Sequence, residues 1–148
     1  MEAIIFCGIQ ATGKSSFYQR HFFATHVRIS LDLLNTRHRE DVFLEACLRT
    51  SQKFVIDNTN TTVADRAKYI ALAQQYNYQI KCYYFQSNLE EALARNNNRT
   101  GKALIPEAGV RGAYKRLQIP SPAEGFHEMY YVSINENNFE IKPWQHEI

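Results

Sequence analysis

Apolar and polar positions along the chain alternate between two periods. Ala3-Ile4-Ile5-Phe6-Cys7 is a short continuous apolar run, predicting a buried strand. It is followed by a glycine-containing loop and a stretch from Gly13 to Ala24 with no proline or internal glycine, predicting a helix that turns Phe17, Phe22 and Phe23 toward a sheet. His26 to Leu31 alternates and predicts a second strand ending at Asp32. The charged segment Asn35 to Asp41 leads into Val42 to Leu48, where apolar residues recur at helical spacing. Lys53-Phe54-Val55-Ile56-Asp57 predicts a buried parallel strand closing on an aspartate. Thr62 and Asp65 have capping spacing before a helix to about Tyr76, with Val63, Ala67, Ile70 and Ala71 on one face. A fourth strand spans Gln79 to Phe85, and Ser87 with Glu90 predicts a cap for the helix Leu89 to Arg95. Asn96 to Lys102 is polar. Pro106 suits the first position of a helix reaching Leu117. After the Pro120-Ser121-Pro122 loop, Tyr130 to Ile134 and Phe139 to Lys142 predict an antiparallel hairpin. Strands alternating with helices predict a three-layer α/β fold around a mainly parallel sheet.

Composition narrows this picture little. The 148 residues are expected to form a single domain, 1–148, with ordinary hydrophobic and charged content. A net charge of +2 lacks the strong basic excess of a chain that lives on nucleic acid, although a local patch is compatible with it. Cys7, Cys47 and Cys82 show no metal-ligand spacing and read as buried thiols in a reducing compartment. No segment has the length of a membrane span, so the expected location is cytoplasmic, with no membrane partner.

The chemistry enters at Gly8-Ile9-Gln10-Ala11-Thr12-Gly13-Lys14-Ser15, a full match to the phosphate-binding pattern G-x-x-x-x-G-K-[ST] between a predicted strand and a predicted helix. Such a loop turns successive N–H groups inward and adds a helix N-terminus, both attractive to phosphate. ATP is therefore the expected cofactor, held by Gly8, Gln10, Ala11, Thr12, Gly13, Lys14, Ser15 and Ser16. Lys14 is expected to bridge the β- and γ-phosphates, and the Ser15 hydroxyl to ligate Mg²⁺. In an open parallel sheet the carboxyl ends of the strands face one crevice, which brings Asp32 and Asp57 to the loop. One carboxylate suits a general base and the other a Mg²⁺ partner. The alternatives are a helix cap for Asp32 and a turn-forming role for Asp57. Arg95, Arg99 and Lys102 flank a glycine-containing segment suited to a lid, about 96–106, that brings cations onto the phosphates.

Together these residues resemble the polynucleotide 5′-kinases, in particular the kinase domain of polynucleotide kinase-phosphatases, from Ile4 to about Val132. The most specific stretches are Val55-Ile56-Asp57-Asn58-Thr59-Asn60, Arg95-Asn96-Asn97-Asn98-Arg99 and Pro120-Ser121-Pro122-Ala123-Glu124-Gly125-Phe126. The resemblance implies a P-loop NTPase fold of the nucleotide- or nucleoside-kinase type with a small lid. It also implies transfer of the ATP γ-phosphate to the 5′-hydroxyl end of DNA or RNA. By position, Asp32 matches the general base, Lys14 and Ser15 the phosphate lysine and Mg²⁺ serine, and Arg99, with Arg95 beside it, the lid arginine. Asp57, Asn58 and Asn60 match a polar edge that supports the site, with Asp57 and Asn58 expected on the acceptor side. The acceptor-binding arginine of some members falls on Asn35 here, and that of others on Arg39, so Arg39, with Arg37 as substitute, is the expected grip on the acceptor. No D-x-D-G-[TV] phosphatase signature occurs in the sequence.

Two other readings stay open. A small-molecule P-loop kinase would keep the loop, the carboxylate after the second strand and a lid arginine, and suits the modest net charge. Against it, Arg28, Arg37, Arg39 and Arg66 cluster near the second and third strands as if lining a basic groove. A non-catalytic ATP-dependent switch would not need Asp32.

Overall fold

A computed structural model of the chain describes residues 1–145, so the last three residues of the expected unit lie outside the described residues. Its elements run β1 (Glu2–Cys7), α1 (Lys14–His21), β2 (Val27–Ile29), α2 (Leu31–Leu34), α3 (Arg37–Arg49), β3 (Phe54–Ile56), α4 (Val63–Gln75), β4 (Gln79–Phe85), α5 (Leu89–Asn97), α6 (Glu107–Arg116), β5 (Glu128–Asn135) and β6 (Asn138–Pro143). Short 3₁₀ turns at Gly101–Ala103 and Pro122–Glu124 flank α6. The six strands lie in the order β2-β3-β1-β4-β5-β6. The first five are parallel and β6 returns antiparallel to β5. This is the expected mainly parallel sheet with helices.

Its layers follow from the pleat. Ala3, Ile5 and Cys7 of β1 face one way and join Ile29, Leu44, Leu48, Phe54, Ile56 and Ile70, so that face packs on α3 and α4. Ile4 and Phe6 face the other way, with Phe17, Phe22, Val55, Phe85 and Val132, beneath α1. A third cluster, Ile9, Ala92, Val110 and Ala113, joins the base of the lid to the start of the phosphate loop. Burial on both faces explains why β1 and β3 read as near-continuous apolar runs, whereas β4 alternates with Gln79 and Lys81 until Phe85. The three cysteines are free and buried, as expected. No helix among the described residues is long and apolar enough to cross a membrane.

Several local expectations shift. α1 stops at His21, and Phe23 is 72% exposed, so only Phe17 and Phe22 reach the core. α3 begins at Arg37, capped by the Thr36 side chain, and therefore absorbs most of the charged segment. In α4 the cap at Thr62 is as expected, accepting from the Asp65 N–H, but the buried face is Arg66, Tyr69, Ile70 and Ala73. Val63, Ala67 and Ala71 are exposed, because the stripe is phased on a buried arginine that the apolar pattern cannot register. The α5 cap is Asn88, accepting from Glu91 N–H, one position beyond the Ser87 and Glu90 pair. Pro106 is the cap residue of α6. The hairpin turns through Glu136 and Asn137, both at positive φ of 51° and 65°, a two-residue turn whose twist suits paired strands.

Candidate active site

The phosphate loop connects β1 to α1 and is fixed from several sides. The Gly8 N–H donates to the Thr59 carbonyl at 2.9 Å, and the Ile9 N–H to Ser87 Oγ at 3.1 Å. The Thr12 hydroxyl turns inward onto the Ile9 carbonyl at 2.9 Å. Ala11 and Gly13 are left-handed, at φ 61° and 93°, the kind of backbone that lets neighbouring N–H groups turn to one side and form an anion nest. Gly13 is forced by space as well: a Cβ there would stand 2.8 Å from Phe139 Cε1 and 3.1 Å from Ile134 Cδ1 of the hairpin.

Lys14 Nζ donates to the Gly8 carbonyl at 2.9 Å and the Ile9 carbonyl at 2.6 Å. Burial pushes its pKa down to about 8; nearby Asp57 pulls the other way, and Arg99 adds to the depression. A desolvated cation between carbonyls gains most from a phosphate at close range. Asp57, at the end of β3, is buried, and its Oδ2 accepts from Ser15 Oγ at 3.1 Å and from Arg28 Nε at 2.8 Å. Arg28 Nη2 also donates to Ser15 Oγ at 3.1 Å.

A cavity of about 630 Å³ opens over the loop. Gln10, Ala11, Gly13, Lys14, Ser15 and Ser16 form its floor, Asp32, Asp57 and Asn58 one wall, and Arg99, Lys102 and Ile105 the lid side. Asp32 sits in α2, a single turn whose cap is Ser30: the Ser30 Oγ accepts the Asp32 N–H at 3.2 Å. Asp32 is therefore not the cap. Its carboxylate is exposed toward the cavity and has no hydrogen-bond or ion-pair partner among the described residues. Arg99 follows α5, which is held to the lid by Asn96: its side chain donates to the Ile105 carbonyl at 2.6 Å and accepts the Ile105 N–H at 3.0 Å. Lys102 Nζ reaches Asn35 Oδ1 at 3.4 Å, bridging the lid to the end of α2.

Not every expected residue lines this space. Gly8 and the Thr12 side chain lie beneath it, and Arg95 reaches the Ala11 carbonyl only at 3.4 Å while pairing with Glu91 at 3.5 Å. Arg37 and Arg39 lie on α3, outside the lining. Arg37 is spent on Glu40 at 3.1 Å and the Tyr69 hydroxyl at 3.0 Å, whereas Arg39 is exposed and has no side-chain partner among the described residues. Asn58 touches the wall, but its amide is committed to Leu31 and Glu40. Asn60 turns inward to the Phe6 carbonyl at 2.7 Å. The basic groove also shrinks. Arg66 is fully buried, bidentate to Glu124 at 2.8 and 3.1 Å and bound to the Asn60 carbonyl at 2.8 Å, and Arg28 is turned onto Asp57. Glu40 and Tyr69 escape the sequence reading. Their signal is phase: Glu40 stands four, seven and eight residues before Leu44, Cys47 and Leu48, an acid on the buried stripe of α3.

The sequence profile of the AAA domain family matches residues 35–119. The chain is 30% identical over 131 residues, 84% of its length, to the bifunctional polynucleotide phosphatase/kinase of Schizosaccharomyces pombe, and spans 32% of that protein. Its fold is similar to that of Chaetomium thermophilum Kti12 solved with ADP-AlF₃, with a TM-score of 0.67, 13% identity and 88% of each chain covered. It is also similar to a sugar kinase from a Janibacter species, with a TM-score of 0.64, 12% identity, and 88% and 85% of the two chains covered. The AvrRxo1-ORF1:-ORF2 structure with ATP matches at a TM-score of 0.70 and 15% identity, over 95% of this chain and 57% of that one. At these identities the structural likenesses establish a kinase-like P-loop fold.

Proposed function

The chain belongs to the AAA domain family, and on that premise we propose that it transfers the γ-phosphate of ATP to the 5′-hydroxyl end of a nucleic acid, with Asp32 as the general base. The observation that carries this reading is the division of labour between two carboxylates. Asp57 is engaged by Ser15 and Arg28, while Asp32 stands uncommitted in the same cavity as Lys14 and Arg99. A hydroxyl brought into that cavity meets a free proton acceptor on one side and the phosphate cradle on the other, which is the alignment phosphoryl transfer requires.

Mg²⁺ fits the donor set. Ser15 Oγ donates to Asp57 and accepts from Arg28, leaving one lone pair for a cation. No cluster of three or more His, Cys, Asp or Glu among the described residues could hold a metal alone, so the ion would depend on nucleotide phosphates. Ser15, with Asp57 behind it, would hold it, and bound there it would neutralise charge on the β- and γ-oxygens. Arg99 on the lid supplies a second cation toward the transferring group. The nucleic-acid acceptor is supported by the relative from S. pombe, and Arg39, exposed on α3, is the side chain free to meet its backbone.

One observation favours a second reading. The Lys102 to Asn35 contact roofs the acceptor side of the cavity, and Arg28 and Arg66 are turned away from any groove, which suits a small hydroxyl acceptor. One assay separates the two: labelled ATP and Mg²⁺ with 5′-hydroxyl DNA and RNA oligonucleotides, beside a panel of sugars and nucleosides. Label on an oligonucleotide 5′ end, with binding that weakens steeply as salt rises, supports end transfer. Label on the small acceptors alone refutes it. Asp32→Ala is expected to keep ATP affinity and lose transfer, and normal turnover by that variant would rule out Asp32 as the base.

A further inference from the structure

The Asp32 turn is held by a buried chain of hydrogen bonds that starts outside the cavity lining. Glu40 is 0% exposed. Its carboxylate accepts from Tyr69 OH at 2.7 Å, Arg37 Nη1 at 3.1 Å and Asn58 Nδ2 at 2.9 Å. Lys68 Nζ stands 3.7 Å away, mainly engaged by Asp41. Asn58 Oδ1 in turn accepts the Leu31 N–H at 2.9 Å. Leu31 opens α2, and its N–H is one of the donors that a helix start leaves without an internal partner. The next residue is Asp32.

Donor and acceptor inventory makes this chain directional. A carboxylate only accepts, so Glu40 compels the Asn58 amide to present its NH₂ to α3 and its carbonyl oxygen to Leu31. Without that compulsion the amide is free to rotate, and its NH₂ would then oppose the Leu31 N–H, two donors face to face. Burial also pushes the Tyr69 hydroxyl above its ordinary pKa, with neighbouring Glu40 adding to the shift, so Tyr69 remains a donor. Tyr69 and Arg37 thus fix Glu40, Glu40 fixes Asn58, and Asn58 fixes the first residue of the turn.

We propose that Glu40 is a positioning residue for phosphoryl transfer: acting through Asn58, it sets the orientation of the turn that aims Asp32 into the cavity. The inference rests on the reading of Asp32 as the base. A displacement of about 1 Å in a reacting group costs on the order of a hundredfold in rate, so a side chain that never touches substrate can govern turnover.

The test reverses the polarity of the link and then restores it. Glu40→Gln puts an NH₂ where Asn58 needs an acceptor. Adding Asn58→Asp gives that NH₂ an acceptor and leaves the second carboxylate oxygen for the Leu31 N–H. With a 5′-hydroxyl oligonucleotide as acceptor, Glu40→Gln is expected to lower kcat by roughly tenfold to a hundredfold while KM for ATP stays within about twofold. The double variant is expected to recover most of kcat. Hydrogen exchange at the Leu31 amide supplies an arm independent of activity: faster in Glu40→Gln, slow again in the double variant. Should Glu40→Gln fail to fold, Asn58→Ala, which leaves Glu40 with Arg37 and Tyr69, is expected to show the same kcat loss and fast exchange. Wild-type kcat and Leu31 protection in these single variants, while Asp32→Ala is inactive, would overturn the inference alone. A double variant no better than Glu40→Gln on both readouts would also overturn it. Normal turnover by Asp32→Ala would overturn the base assignment and the catalytic role of Glu40 together. If the wild type labels no oligonucleotide, the end-transfer reading falls, and Leu31 exchange still decides whether Glu40 sets the turn.

Discussion

Removing Glu124 tests how far the floor of the site depends on one buried ion pair. Arg66 is wholly enclosed, and Glu124 supplies both oxygens of a bidentate contact at 2.8 and 3.1 Å, with side-chain exposures of 0% and 8%. Glu124 Oε2 also accepts the Ser121 N–H at 2.9 Å, closing a capping box. In Glu124→Ala the guanidinium keeps only the Asn60 carbonyl and the weak contact to Cys7 Sγ at 3.5 Å, leaving a buried charge without a counter-charge. Breaking one side of such a pair costs about 3–5 kcal/mol. For a domain of this size each kcal/mol lowers the melting temperature by roughly 3 °C, so a fall of about 9–15 °C is expected by calorimetry. The loss should reach the nucleotide as well, because Asn60 ties Arg66 to the end of β1 through the Phe6 carbonyl. Replacing both partners by apolar residues, Arg66→Met with Glu124→Leu, removes the unpaired charge and is expected to be less damaging than Glu124→Ala, although the Asn60 carbonyl and the Ser121 N–H lose their partners. A single Glu124→Ala variant within about 1 kcal/mol of wild type, or a double variant as damaged as the single one, would refute this account.

Lys14 gives a pH dependence with a definite sign. Its folded pKa of about 8 lies below the ordinary 10.5, with burial the main cause. The unfolded chain therefore holds the extra proton between those values, and this group's penalty on folding eases as pH rises from about 8 to about 10.5. Phosphate restores the charge, so ATP binding near pH 8 is expected to take up a fraction of a proton, read by calorimetry in buffers of different ionisation enthalpy; zero uptake would refute the lowered Lys14 pKa. Gly13→Ala should abolish nucleotide binding and destabilise the fold by at least about 2 kcal/mol, since its Cβ meets Phe139 at 2.8 Å in a left-handed backbone; wild-type binding would contradict the packing. Arg28→Ala should free Ser15 and Asp57 and lower the Mg²⁺ concentration needed for half-maximal turnover, measured by Mg²⁺ titration at saturating ATP; an unchanged or higher requirement would contradict competition between Arg28 and the ion.

The features legible in the sequence are those set by short stretches. The phosphate loop and its flanking elements, the strand closing on Asp57, the Thr62 cap and the terminal hairpin each depend on a few neighbouring residues. What was illegible depends on partners far apart in the chain. Arg66 reads as a surface cation until Glu124 is brought to it across α4, and taking it as polar misphases the whole helix. Arg28 reads as a groove residue, but the pairing of β2 with β3 places it beside Asp57. Asn58 reads as acceptor-side polarity, although its amide is consumed by Leu31 and Glu40. Asn96 reads as one of a polar run and proves to be the side chain that clasps the lid. In each case a polar side chain has been taken out of solvent, and only tertiary structure shows which partner offsets that cost.

The contact between the hairpin and the phosphate loop also imposes an order on biosynthesis. Gly8 to Ser15 is made long before Phe139 and Ile134, which pack against Gly13. During vectorial synthesis, at roughly 5–20 residues per second, the nucleotide cradle is present as sequence well before its back wall exists. Ribosome-bound fragments that stop before β6 should therefore bind ATP poorly even where β1, α1, β3 and β4 are complete, so the phosphate loop would mature only once the hairpin behind it has been made.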